Sequence, residues 1–69
     1  MRYIAIQRKK DRALVAGTDR RYYPPHCIMA DDYRPPLLLP TDTRIYKGEM
    51  ERRHINPKKY KYVVVDIVR

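Results

Sequence analysis

Phe and Trp are absent from this sequence, Gly occurs twice and Cys once. Two glycines are too few to build a phosphate-cradling loop, and no P-loop, GXXG loop, zinc-finger spacing or RNP consensus is present. Cys27 has no partner within the chain for a disulfide, and the apolar stretch in MRYIAIQRKK is too short for a secretory h-region. A reducing, cytoplasmic setting is therefore expected. Apolar runs fall well short of the roughly 18 residues that span a bilayer, since even VVVDIV is broken by Asp66. The expectation is a soluble chain with no membrane partner.

Catalytic chemistry is thinly supplied as well. His26, Cys27, Asp31, Asp32 and His54 include the residue types of a metal site or a Cys-His nucleophile, but their spacing matches no ligand motif. Adjacent His26 and Cys27 would point apart in an extended chain. A lone Cys is more often a small buried hydrophobe, and Asp31-Asp32 suit a turn, a helix end or pairing with an Arg. A chain of 69 residues also lacks the walls of a closed pocket. No enzyme, no cofactor and no metal are expected.

Positive charge is what the chain has in excess. Lys and Arg number 16 against 8 Asp and Glu, giving +8, and the two parts of the chain divided after Arg34 carry equal shares, so the charge belongs to the fold rather than to a tail. It gathers in Arg8-Lys9-Lys10-Asp11-Arg12, in Arg20-Arg21, in Arg52-Arg53 and in Lys58-Lys59-Tyr60-Lys61. Such clusters serve equally as solvated turns and strand ends or as a binding face. All seven aromatic residues are Tyr, whose amphipathic ring suits a wet contact with nucleic acid or protein.

Hydrophobic periodicity marks strands at both ends. Ile4 and Ile6 alternate with Tyr3, Ala5 and Gln7, the period of a half-buried strand, and Ala13 to Gly17 resume the apolar character after a charged turn. Residues 2–18 read as a β-hairpin. Six prolines, at 24, 25, 35, 36, 40 and 57, exclude a long helix or central strand across the Pro-rich connection at 22–40. Within it, His26 to Tyr33 has room for about two helical turns, and Leu37 to Leu39 are expected to fold back over one edge of the core. Residues 41–69 form a mixed segment. Thr41 or Asp42 could cap a helix there, but Thr43 to Tyr46 have strand character, so the pattern predicts a strand at 43–47, a turn at Gly48 and a short helix or turn at 49–54. The segment ends in a core strand at 60–68. Together these give a small single α+β domain, β-rich, with the hairpin and the C-terminal strand in one antiparallel or mixed sheet and at most one or two short helices.

The faces of the terminal strands decide the functional expectation. Placing Val63, Val65 and Ile67 in the core keeps Asp66 out of it and sends Tyr60 and Tyr62 outward; the first strand then buries Ile4 and Ile6 and exposes Tyr3. Three tyrosines on one open face among Lys58, Lys59 and Lys61 would be a platform for stacking single-stranded bases. Decorative Tyr and Lys on a strand have the same pattern, since Tyr packs well in sheets and Lys guards edges. The expectation is a small protein that binds DNA or RNA through Tyr3, Arg8, Lys9, Lys10, Arg12, Arg20, Arg21, Tyr22, Arg52, Arg53, Lys58, Lys59, Tyr60, Lys61 and Tyr62. The alternative is an inhibitor or adaptor that occupies an acidic or nucleic-acid-binding surface of a partner protein. In size and charge the chain resembles small accessory proteins of phages and mobile elements, and Tyr22-Tyr23-Pro24-Pro25 and Tyr33-Arg34-Pro35-Pro36 suit protein hot spots.

Overall fold

The computed structural model describes residues 1–23 and 25–67. Its elements run in the order β1 (Arg2–Arg8), β2 (Val15–Asp19), β3 (His26–Met29), α1 (Thr43–Tyr46), α2 (Glu49–Arg52) and β4 (Tyr60–Asp66). This is the expected small, β-rich α+β domain. Two antiparallel sheets, β1–β4 and β2–β3, contain its strands. The expected terminal strand extends to Val68, which lies outside the described residues, as does Pro24.

β1 is bordered on both sides. Along one edge it pairs with all of β4. Along the other, Ile4 and Leu39 exchange both backbone hydrogen bonds at 2.8 Å, and the Arg8 N–H reaches the Ala13 carbonyl at 2.8 Å. Leu39 thus folds back over the edge as expected. The β1–β2 hairpin is closed by the Gln7–Leu14 bridge. A bulge between Val15 and Gly17 then re-aims β2 towards β3, as an extra residue in one strand bends it away.

Three local expectations change. His26–Met29 is strand, not helix: β2 offers a ladder that two isolated helical turns could not match. Thr43–Tyr46 is helix, not strand, because the Asp42 side chain caps the Arg44 N–H at 2.9 Å and, among the described residues, no strand borders it. Gly48 is the turn that separates α1 from α2. The second helix ends in a Schellman motif: the Ile55 N–H reaches the Met50 carbonyl at 2.8 Å and the His54 N–H the Glu51 carbonyl at 3.2 Å. His54 takes the left-handed position at φ 56°, and Met50 and Ile55, the apolar pair that accompanies such a motif, both enter the core.

The third change concerns the sheet faces. Directly opposed residues of an antiparallel pair share a face, and the register sets Ile4 against Val64, Ile6 against Tyr62 and Arg8 against Tyr60. Tyr60 and Tyr62 therefore lie on the same side as Ile4 and Ile6, packed against a core of Ile6, Val15, Met50 and Ile55. Tyr3 lies on the opposite side with Ala5, Val63 and Val65. The open three-tyrosine face does not form. Asp66 sits at the strand end, exposed, so keeping it solvated imposed no choice of face.

Candidate nucleic-acid interface

Ion pairing engages arginines and none of the lysines, although Arg2, Arg12, Arg20 and Arg34 are also outside the ion pairs found among the described residues. Arg8 pairs with Asp11, Arg21 with Asp19, Arg44 with Asp42, and Arg52 and Arg53 both with Glu49. Each partner lies within four residues in sequence, so the fork of an Arg meets a nearby carboxylate at little loop-closure expense. The Arg8 hydrogen bond and the Ala13 N–H hold the Asp11 carboxyl down at about 2, and Arg21 does the same for Asp19, also at about 2. Among the described residues, Lys9, Lys10, Lys47, Lys58, Lys59 and Lys61, all the lysines of the chain, take no part in an ion pair.

Four of these lysines converge. The β1–β2 turn lies beside the turn preceding β4, joined by the Lys9 N–H to the Lys59 carbonyl at 2.9 Å and by Lys9 Nζ to the Pro57 carbonyl at 3.5 Å. Between the turns is a cleft of about 490 Å³ lined by Arg8, Lys9, Lys10, Lys58, Lys59 and Tyr60. Asn56 shapes the second turn by accepting the Lys58 N–H at 3.0 Å, and Asp11 shapes the first by accepting the Ala13 N–H at 3.1 Å. Arg12, exposed in the first turn at φ 62°, adds to the same end of the sheet. Burial raises the Tyr60 hydroxyl above its ordinary pKa, so the phenol at the cleft wall stays neutral beside the ammonium groups. Lys61 is exposed but lies on the Val63 face, outside this lining.

A second basic group forms where β2–β3 meets the end of α2. Arg20, Tyr22, Arg52 and Arg53 line a cavity of about 330 Å³ with Thr18, Tyr23, Pro25 and His54. Tyr22 stacks on His26 with centroids 4.1 Å apart, and Tyr23 is 96% exposed. Arg21, tied to Asp19, does not line it.

The remaining expected tyrosines have structural surroundings. Tyr62 accepts the Met50 N–H at 3.1 Å and donates to the Lys47 carbonyl at 3.1 Å, which pins the α1–α2 junction to β4. Its ring meets Tyr46 edge-on at 5.0 Å. Tyr3 donates to Met1 Sδ at 3.3 Å and lines an apolar groove with Leu38 and Ile67. Tyr23 and His54 join the Arg20 group, although the expected nucleic-acid face includes neither. The Tyr22-Tyr23 pair before two prolines was the visible signal for the first; the left-handed turn that brings His54 beside Arg20 left none.

Asp31 accepts the Tyr33 and Arg34 N–H groups, each at 2.8 Å, and so shapes a turn. No group of three His, Cys, Asp or Glu able to hold a metal ion occurs among the described residues. Among the same residues no helix is long and apolar enough to cross a membrane. No protein-family model, curated protein or solved structure matches this chain.

Proposed function

We propose that this protein binds the phosphate backbone of single-stranded nucleic acid. The supporting observation is the convergence of Lys9, Lys10, Lys58 and Lys59, none of them in an ion pair among the described residues, on one open cleft. Unpaired ammonium groups displace condensed counterions from a polyanion, which is the main source of sequence-independent affinity. Tyr22 and Tyr23 supply ring faces beside Arg20 and His54, and bases stack on such rings whatever their sequence. The lysine cleft lies at the β1–β2 turn and the aromatic group beyond the far end of β2, a five-residue strand about 17 Å long. A flexible single strand can follow that path, with phosphates held at one end and bases at the other.

Anisotropy titrations with labelled single-stranded DNA and RNA across a salt series test the reading. The expected result is binding at low salt that weakens linearly on logarithmic axes as salt rises. Absence of binding at low salt would remove the proposal and assign the lysine cleft to an acidic protein surface.

A further inference from the structure

Backbone directions along β4 follow from those of β1. Ile4 directs its N–H and carbonyl at Leu39, away from β4, so the alternate residues Tyr3, Ala5 and Gln7 are the ones that exchange hydrogen bonds with Val65, Val63 and Lys61. The bonds from the Ile67 N–H to the Met1 carbonyl and from the Lys9 N–H to the Lys59 carbonyl continue the same alternation. Tyr60, Tyr62, Val64 and Asp66 consequently aim their backbone groups at the other edge. Among the described residues no strand, loop or side chain bonds to that edge. Val64 upon it is 63% exposed. An uncovered row of donors and acceptors beside an exposed Val is a template for another strand; exposed Lys61 charges one face of it, but neither Pro nor a bulge blocks the ladder.

The strand is complementary to itself. We propose that two copies of this chain associate by antiparallel pairing of β4 with β4, centred on Val63. In that register Tyr60 faces Asp66 of the second copy, Tyr62 faces Val64, and Val63 faces Val63. All four outward residues fall in hydrogen-bonded pairs, so the whole strand is used. Centring on Tyr62 or Val64 instead leaves one end overhanging. Exposed Val64 gains a Tyr neighbour, a favourable cross-strand combination. The Asp66 carboxylate, 3.3 Å from the Met1 ammonium of its own chain, is also laid against the Lys58–Tyr60 end of the opposite strand, where unpaired lysines are concentrated. The two sheets become one of four strands, in the order β1, β4, β4, β1, with a lysine cleft at each end. This pairing involves no nucleic acid and stands apart from the polyanion reading.

Sedimentation velocity of the free protein from micromolar to millimolar concentration tests it, beside Val64→Pro and Val64→Lys. The Val64 N–H is unused in the monomer, so Pro there is compatible with the fold and incompatible with strand addition. The wild type is expected to pass from 8.4 kDa to twice that mass, and both variants to stay at 8.4 kDa with an unchanged circular dichroism spectrum. Should Val64→Pro unfold, Val64→Lys alone decides. Salt should tighten the pair by screening repulsion between +8 copies, the opposite of its effect on polyanion binding, so either reading can fail without the other. A wild type that stays monomeric throughout, or a folded variant that still pairs, overturns the inference.

Discussion

The two sheets divide basic and aromatic residues in opposite ways. At the turn end of β1–β4 the lysines are unpaired while Tyr60 and Tyr62 pack against the core. At the loop end of β2–β3 the tyrosines are exposed, whereas Arg21, Arg52 and Arg53 are held by Asp19 and Glu49. Contiguity in KKYKY therefore does not make one device of its lysines and tyrosines. The unpaired lysines and the exposed rings are offered at separate places, with Tyr60 at the lysine cleft only as a half-buried wall, and each place can be broken alone.

Replacing Lys9, Lys10, Lys58 and Lys59 by Gln should have the largest effect, flattening the slope of log affinity against log salt by roughly 0.7 for every phosphate no longer neutralised. The same titration on Arg52→Gln should move the slope less than the four lysines together, because Arg52 and Arg53 share the Glu49 carboxylate and the group carries a net charge of only about +1. Next in size, Tyr22→Leu with Tyr23→Leu should weaken single-strand binding by about 1 to 3 kcal/mol per stacked base while leaving the salt slope unchanged. Tyr62→Phe should do the reverse. It removes an acceptor from the Met50 N–H and a donor from the Lys47 carbonyl, so a urea titration should show about 1 to 3 kcal/mol of lost stability with little change in binding.

Smaller effects test the turns that position the two sites. His54→Gly should stabilise the fold by up to about 1 kcal/mol in thermal melts, since a non-Gly residue in the left-handed region is strained and Gly is not. Asp11 and Asp19 have folded pKa values lowered from 3.8 to about 2 by Arg8 and Arg21 respectively. A depressed carboxylate stabilises the fold above its unfolded pKa and loses that contribution as pH falls through the folded one. Acid titration should therefore show stability declining between pH 3.8 and about 2, with Asp11→Asn flattening part of that decline.

Much of this organisation was legible in the chain, and the failures have physical causes. Period-2 alternation located β1 and β4 because each has one face against a core. It could not assign faces in β4, where residues on both sides are half-buried and Tyr suits either. β1 is more ambiguous still: Ile4, Ala5 and Ile6 are all buried. The basic clusters at 8–12 and 58–61 were visible, but not that one pair of hydrogen bonds would bring their turns together. Short elements such as His26–Met29 and Thr43–Tyr46 take their form from a neighbouring strand and a single cap, which local propensity does not contain.

Pairing the first strand of the chain with the last has a kinetic corollary. The β2–β3 ladder and the α1–α2 turn close short loops and can form as soon as their own residues are present. β1 must wait for β4, with the entropy of nearly the whole intervening chain surrendered before the ladder gives anything in return. Until then β1 has the β2 hairpin and the Leu39 edge for company, and its other edge is bare. Folding of this small protein should thus be governed by a late, long-range step, and substitutions in β1 or β4 should alter the folding rate only where that step begins to zip.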